Sequence, residues 1–350
     1  MAHLLTRLRK RIKKSLGLEK SFRERWYKVD PLIPVDRQRK KELRMRGFLP
    51  NSDHYFDYDR YGYEAYITQR DYQKLHPVNG TFSRLIDNKA FVPILFRNHP
   101  EWLPDISISI DRGRVNYAYG IARNNQTAGE LLKEAVKKTG KLITKPVSDS
   151  SGNKVQLLTG ENIDAFIEEK LYSQRKYLVN NVLENEAYAS AIWPHALNTI
   201  RVVFFKTARG TNRIFRILHR FGTKESGYVD NTNKGGMASV VDRQKGILDK
   251  AYIFAASTRH GDYEHHIDTG AQIAGFIIPD WPRKQKTIQQ IVDQLDFLDY
   301  GGIDLATTPD GLKIIEINSL PGMILSQLEE PALLDEEFSE FIYSKGYRVG

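Results

Sequence analysis

The stretch that decides the fold is Gly301–Gly322, GGIDLATTPDGLKIIEINSLPG. Gly302–Thr307 has the composition of a strand, Pro309-Asp310-Gly311 is turn chemistry, and Leu312–Asn318 reads as a second strand. The segment predicts a β-hairpin. Glu316 and Asn318 are two residues apart and so share one face of the second strand. A three-residue loop with Gly311 left-handed sets Asp304 across from Glu316, whereas a two-residue loop sets Asp304 on the opposite face. Asp, Glu and Asn are hard oxygen ligands, suited to Mg²⁺ held jointly with nucleotide phosphates. Ile303, Leu305, Ile315 and Ile317 are expected to anchor the hairpin in a core.

The chain has 350 residues, enough for a large core divided into two or three units. It contains no cysteine, which excludes disulfides, thiolate catalysis and Cys-based zinc sites and fits a reducing compartment. No run approaches the roughly 20 apolar residues of a spanning helix. The first residues lack the apolar core of a signal peptide, so the expected location is the cytoplasm. The formal net charge of +9 is uneven. Residues 1–50 carry 16 Lys or Arg against 5 Asp or Glu, and the remainder of the chain sums to −2.

Met1 to Leu18 reads as a short amphipathic helix, with Leu4, Leu8, Ile12 and Leu16 every four residues and basic side chains around the rest. Such a helix either lies on an anionic membrane surface, at the inner membrane face, or docks on its own body with its charges solvated. Basic charge alone does not specify nucleic acid, which is not an expected partner. Tyr55, Phe56, Tyr58, Tyr61, Tyr63 and Tyr66 cluster closely. They suit either a sugar-stacking surface or, with the greater weight, the packing of a small N-terminal unit.

From Leu85 an α+β pattern begins. Asp87–Phe96 is a helix entry, and Trp102–Ile110 and Val115–Ile121 are strands around Asp111-Arg112-Gly113. Thr127–Thr139 is a helix with Thr127 as N-cap and Glu130 completing a capping box. Lys141–Lys145 and Lys154–Leu158 are strands flanking a polar loop over Ser148–Asn153. Asn162–Leu171 is a helix, and Tyr177–Leu183, Asn198–Thr207 and Asn212–Phe221 are strands. His195, His219 and His265-His266 form no zinc spacing and read as core, surface or substrate-contact residues.

Glu316-Ile317-Asn318 followed by Pro321-Gly322, with an upstream Gly-x-Asp strand, resembles the metal-binding end of the ATP-grasp ligases. Asn198-Thr199-Ile200-Arg201, Asp230-Asn231 with Gly235-Gly236, and Asp268-Thr269-Gly270 leading to Ile278-Pro279-Asp280-Trp281 resemble the sugar-transfer-associated group of that superfamily, over about two-thirds of the chain. The resemblance implies an α+β ATP-grasp fold, two subdomains clasping a nucleotide. It divides the chain into a basic N-terminal segment and small unit (1–84), an N-terminal subdomain with the phosphate loop (85–180) and a C-terminal subdomain with the metal site (181–350).

The resemblance also assigns roles. Lys89 and Lys145 are the phosphate lysines, and Ser150, Ser151 and Gly152 belong to the loop that closes over the phosphates. That loop has one glycine where many relatives have several, which leaves its backbone less free. Asn181 is placed at the adenine hinge, where relatives often carry acids, and Glu184 (or Glu186) at the ribose hydroxyls. Arg201, with Arg220 second, suits the γ-phosphate or the carboxylate to be activated, because a guanidinium grips planar oxyanions in bidentate fashion. The rival reading of either arginine is a structural ion pair. Asn231 lies on a loop facing the metals, and Asp304, Glu316 and Asn318 would hold Mg²⁺, or Mn²⁺ in its place. The implied activity is an ATP-dependent, ADP-forming carboxylate–amine ligase working through an acyl phosphate, on a uronic-acid carboxylate with an amino acid or amino sugar, in capsule or other surface polysaccharide biosynthesis. Two alternatives stand beside it: a phosphotransferase on a glycan hydroxyl, and a non-catalytic nucleotide-fold scaffold at the membrane.

Overall fold

The computed structural model describes residues 16–28, 35–147, 155–173, 175–254 and 259–348. Five strands form a small antiparallel sheet: β1 (Ser107–Asp111), β2 (Arg114–Tyr119), β3 (Lys141–Pro146), β4 (Gln156–Thr159) and β5 (Lys176–Asn181), in the order β2-β1-β5-β3-β4. Seven form a larger one: β6 (Thr199–Lys206), β7 (Asn212–Phe221), β8 (Met237–Val241), β9 (Leu248–Ile253), β10 (Gly261–Tyr263), β11 (Tyr300–Thr308) and β12 (Gly311–Asn318), in the order β10-β9-β8-β7-β6-β11-β12. Four helices matter for packing: α1 (Arg37–Arg46), α2 (Ala128–Thr139), α3 (Trp281–Asp293) and α4 (Glu336–Ser344).

The small sheet buries one face under α2. Thr127 and Glu130 close the expected capping box, and Gly140 ends the helix with φ +74°. Leu131, Leu132 and Ala135 then pack on Ile108, Ile110, Leu142 and Val179. Strand β1 starts five residues later than its apolar run suggests. Pro100 and Pro104 have no N–H to give a ladder, and Pro100–Trp102 turns as a 3₁₀ helix instead. The helix expected over Asn162–Leu171 holds α geometry only for Ile163–Phe166 and widens into a π turn over Ile167–Leu171.

The large sheet is covered on both faces, and strand alternation sorts its side chains. Ile200, Val202 and Phe204 of β6 meet Ile288, Ile291 and Val292 of α3. Val203 and Phe205 meet Phe338, Phe341 and Ile342 of α4 on the other side. Beside α4, Tyr55, Phe56, Tyr58 and Tyr66 are buried with Phe22, Trp26 and Phe48 against Leu218, Ala238, Leu325 and Leu328. The tyrosine cluster is thus packing, and the Tyr55 hydroxyl donates to the Ile253 carbonyl at 2.6 Å. Of the amphipathic N-terminal helix, residues 1–15 lie outside the described chain, and residues 16–28 are helical.

The hairpin of β11 and β12 has the expected face pairing, reached by another route. Thr308 pairs with Gly311, so the loop has two residues, and this register continues to Leu305 opposite Ile314. A β-bulge then shifts the pairing by one, and Asp304 lies opposite Glu316. The extra residue is Ile315, which is half-buried, while Ile314 takes the core position expected for it.

A polar strap secures the base of the hairpin. The Asn79 side chain accepts from the backbone N–H of Asp299 (2.8 Å) and Tyr300 (3.0 Å) and donates to the Tyr300 carbonyl at 2.7 Å. Asp87 accepts from the Ser319 N–H and hydroxyl, both at 2.8 Å. Close backbone packing needs the glycine pair: a Cβ on Gly302 would sit 2.6 Å from the Pro321 ring. Gly302→Ala is expected to lower stability by about 1–3 kcal/mol through overpacking. Gly322→Ala, whose Cβ would meet nothing within 4 Å, should change it by no more than about 0.5 kcal/mol. Urea unfolding of the two variants checks the contrast.

Candidate active site

Strand registers bring the charged residues into one row. Arg201 of β6 pairs with Asp304 of β11, which pairs with Glu316 of β12. All three project from the face opposite Ile200, Ile303 and Ile317, so they lie side by side across three strands. Arg201 grips Asp304 with two parallel bonds, Nε to Oδ1 and Nη2 to Oδ2, both 2.7 Å. Arg220, from β7, reaches the same Oδ2 through Nη2 at 2.9 Å. Asp304 is 2% exposed. Burial alone would raise its pKa, but Arg201 and Arg220 outweigh that and hold its carboxyl well below the usual carboxylate range. Burial works against Arg201 in turn, and Asp304 keeps its guanidinium above the ordinary value.

Behind Arg220 stands a second carboxylate. Asp230 Oδ2 accepts from the Thr199 N–H at 3.0 Å and from the Thr199 hydroxyl, and lies 3.4 Å from Arg220 Nε. Burial pushes the Asp230 carboxyl up, and Arg220 only partly offsets it. Two arginines and two acids therefore interlock, with Thr199 between them. The sequence motif held Asp230 and Thr199 without giving either a role in the site. Their contact spans 31 positions, and no local spacing announces it. Asn231, the candidate beside them, uses its side-chain oxygen to cap the short turn Thr232–Lys234 through the Asn233 N–H at 2.9 Å.

Lysines complete the site from two directions. Lys89 opens a 3₁₀ turn capped by Asn88 and places Nζ 3.1 Å from Glu316 Oε2. The Asp87–Ser319 strap, two residues away, draws that turn onto the end of β12. Lys145 comes from β3, in the small sheet. Burial pushes its ammonium pKa down, Glu316 and Asp304 push it up, and Lys89 pushes it down. These are the charges it faces across the gap between the sheets. The Asn318 amide nitrogen donates to Glu316 Oε1 at 3.4 Å, which leaves its oxygen beside that carboxylate.

Other candidates stand further out. Ser150, Ser151 and Gly152 lie outside the described residues. Asn181 spends its side-chain oxygen on the Ile106 N–H (3.0 Å), so that oxygen is not the acceptor for a base's exocyclic amine. Glu184 is exposed, whereas Glu186 is tied to Lys284 at 3.0 Å. His219 and His266 are core residues, and burial holds the His219 pKa down at about 3, so its ring is neutral and bonds the Tyr188 hydroxyl at 2.9 Å.

The donor set suits a hard divalent cation. Among the described residues no three His, Cys, Asp or Glu side chains converge on one point. Two carboxylates and one amide oxygen are what a cation shared with phosphate oxygens needs, since phosphates and water supply the rest of its shell. Asp304 Oδ2 is filled by two guanidinium bonds, so Glu316, Asn318 and Asp304 Oδ1 are the atoms left to bind. Asp304→Asn strips the charge that neutralises two buried guanidinium groups and should cost about 3–5 kcal/mol. Glu316→Gln, in a pair with more access to water, should cost about 1 kcal/mol or less. Chemical denaturation without nucleotide compares them.

A family model described as sugar-transfer-associated ATP-grasp matches residues 79–340. A search of curated proteins by sequence returns no match. Similar solved structures include D-cycloserine synthetase DcsG, at 10% identity and TM-score 0.43 over 75% of this chain and 71% of that one. D-alanine–D-alanine ligase from Bacillus anthracis is similar at 13% identity and TM-score 0.43, over 77% of this chain and 76% of that one. ATP-grasp ligase PsnB, complexed with a phosphomimetic variant of its minimal precursor, Mg and ADP, gives 13% and 0.42 over 76% and 61%. At such TM-scores the assignment rests on the family model, which spans most of the chain including both sheets and every charged residue of the site: the chain belongs to the sugar-transfer-associated ATP-grasp family.

Proposed function

We propose that the protein is an ATP-dependent carboxylate–amine ligase that activates a sugar carboxylate, a uronic acid, and joins it to an amino acid or amino sugar during surface-polysaccharide assembly. The observation that carries this reading is the convergence of Lys89, Lys145, Arg201 and Arg220 with Asp304 and Glu316 at the meeting of the two sheets. Four cations around three acids, Asp230 included, leave an excess of one positive charge, as a site for a polyphosphate and an anionic acceptor requires.

In the proposed reaction an acceptor carboxylate oxygen attacks the γ-phosphorus, the bond to ADP breaks, and an acyl phosphate results. The amine nitrogen then attacks the acyl carbon, phosphate leaves, and the nitrogen loses a proton. A divalent ion at Asp304, Glu316 and Asn318 would neutralise charge on the phosphates. Lys145, made costly by burial, gains most from an anion arriving beside it. Arg201 has two N–H donors on Asp304 and keeps the rest of its guanidinium for an oxyanion. Locking that arginine in advance removes the entropy of orienting it, which favours catalysis by positioning. No nucleophilic side chain is needed.

Thermal-shift titration with ATP tests the nucleotide site. Mg²⁺-dependent stabilisation of the wild type, lost in Glu316→Ala, is expected. Mass spectrometry of glucuronate or galacturonate incubated with amino acids and ATP should then reveal a product lighter than its two substrates by one water, with ADP released. A phosphate ester formed without amine would make the enzyme a phosphotransferase, and no nucleotide-dependent shift would remove the reading.

The basic N-terminal segment is proposed to hold the enzyme on an anionic membrane surface, with no helix among the described residues long or apolar enough to cross one. Leu16, Tyr27 and Met45 support this: they are 62–65% exposed on neighbouring helical segments that also carry Lys20, Arg23, Lys28 and Lys41. The protein should co-sediment with phosphatidylserine vesicles at low salt, release at high salt, and ignore phosphatidylcholine vesicles.

A further inference from the structure

At the far end of the large sheet lies a cleft of about 490 Å³ that takes no part in the site above. Its walls are the β6–β7 turn, the β8–β9 turn and one face of α3. Strand β6 runs from the charged cluster at Arg201 to the lip of the cleft at Thr207. Six residues of extended chain put the two sites on the order of 20 Å apart.

Most lining side chains end in polar or charged groups, and Ile214 and Ile217 are the aliphatic ones among the described residues. Gln285 and Gln289 are four apart on α3 and present one face. Each amide nitrogen is already used: Gln285 donates to the Arg243 carbonyl (2.8 Å), and Gln289 donates to Asp293 Oδ1 at the surface (2.7 Å). Their oxygens are left as acceptors. Asn212, on the same wall, likewise donates to Val292 and Leu295, and its buried oxygen has no hydrogen-bond partner among the described residues. Guanidinium groups supply the donors. Arg213 is committed to Asp335 by two 2.7 Å bonds and to Glu337. Arg209 stands exposed on the turn, and Arg243 donates Nη1 to the Ile214 carbonyl, which leaves its other N–H groups as donors.

Fixed amide acceptors beside guanidinium donors match a chain of hydroxyls interrupted by carboxylates. Among the described residues no aromatic ring lines the cleft for a nucleobase to stack on. The volume falls in the range of small-molecule sites and accommodates two or three sugar rings. We propose that this cleft binds a segment of an acidic oligosaccharide, away from the residue being modified. The proposal rests on the polysaccharide reading of the active site and adds a remote subsite to it. Binding one chain at two places about 20 Å apart converts the second contact into an intramolecular one and raises affinity for polymer over monomer.

The test is Arg209→Ala combined with Gln289→Ala, two exposed or half-exposed positions outside the catalytic cluster. Melting temperature and the ATP-induced shift should match wild type, which verifies the fold. Isothermal titration uses oligogalacturonate and hyaluronan tetrasaccharides, with maltotetraose and inorganic phosphate as comparisons. An acidic tetrasaccharide should bind wild type and lose about tenfold or more in affinity in the double variant. Turnover should show the same split, KM rising for acidic oligomers and staying unchanged for the free uronic acid. Equal affinity in wild type and variant, absence of binding by both acidic tetrasaccharides, or equal binding of maltotetraose would overturn the proposal. So would phosphate competing fully, which would make the cleft a simple anion site. Should no uronic acid be turned over at all, the titration still decides the cleft, and only the ligase reading falls.

Discussion

The buried carboxylate of Asp304 is the interaction on which the rest of the site depends. Desolvating an anion between β-strands is expensive unless strong hydrogen bonds replace water. Here three guanidinium N–H groups from β6 and β7 do so. The consequence is mutual: the acid cannot be neutral beside two arginines, and the arginines cannot swing away from a fixed acid. Asp230 and Thr199 extend this lock to the loop after β7. A site that must bind highly charged partners is thereby held still before they arrive.

The β6–β11 register sets that lock, and the hairpin register brings Glu316 beside it. With its two-residue loop, an unbroken ladder would set Glu316 opposite Ile303, on the face covered by α3 and away from Asp304. The bulge at Ile315 reverses the alternation of β12 once, so Ile314 and Ile317 both face the core while Glu316 joins Asp304 on the polar face. The polar strap from Asn79 and Asp87 holds the hairpin base against the rest of the chain, and the same strap delivers Lys89 to Glu316. Positioning of the metal donors and of a phosphate cation is therefore one structural event.

Polarity is distributed to match. Apolar side chains dominate both faces of the large sheet near α3 and α4, where no ligand is expected. Charged and amide groups gather at its two ends, one at the meeting with the small sheet and one at the β6–β7 turn. The small sheet contributes Lys145 across the gap between the sheets, so any change in the approach of the sheets changes the charge felt by Glu316.

The sequence by itself determined the strand and helix alphabet, because alternation and capping are local: the Thr127–Glu130 box, the turn at Pro309-Asp310-Gly311, and the run of β6 and β7 were all legible. It also supplied the residue types of the site: Glu316 and Asn318 carry chemistry in their own spacing, and the family resemblance picked out Lys89. Only the tertiary structure decided which of them touch. The Arg201–Asp304 fork, the rivalry of Arg220 and Thr199 for Asp230, and the capping duty of Asn231 depend on contacts between distant strands, which no local period encodes. The bulge at Ile315 was equally hidden. One extra residue in a ladder leaves no compositional mark, yet it decides which face of the sheet Glu316 occupies.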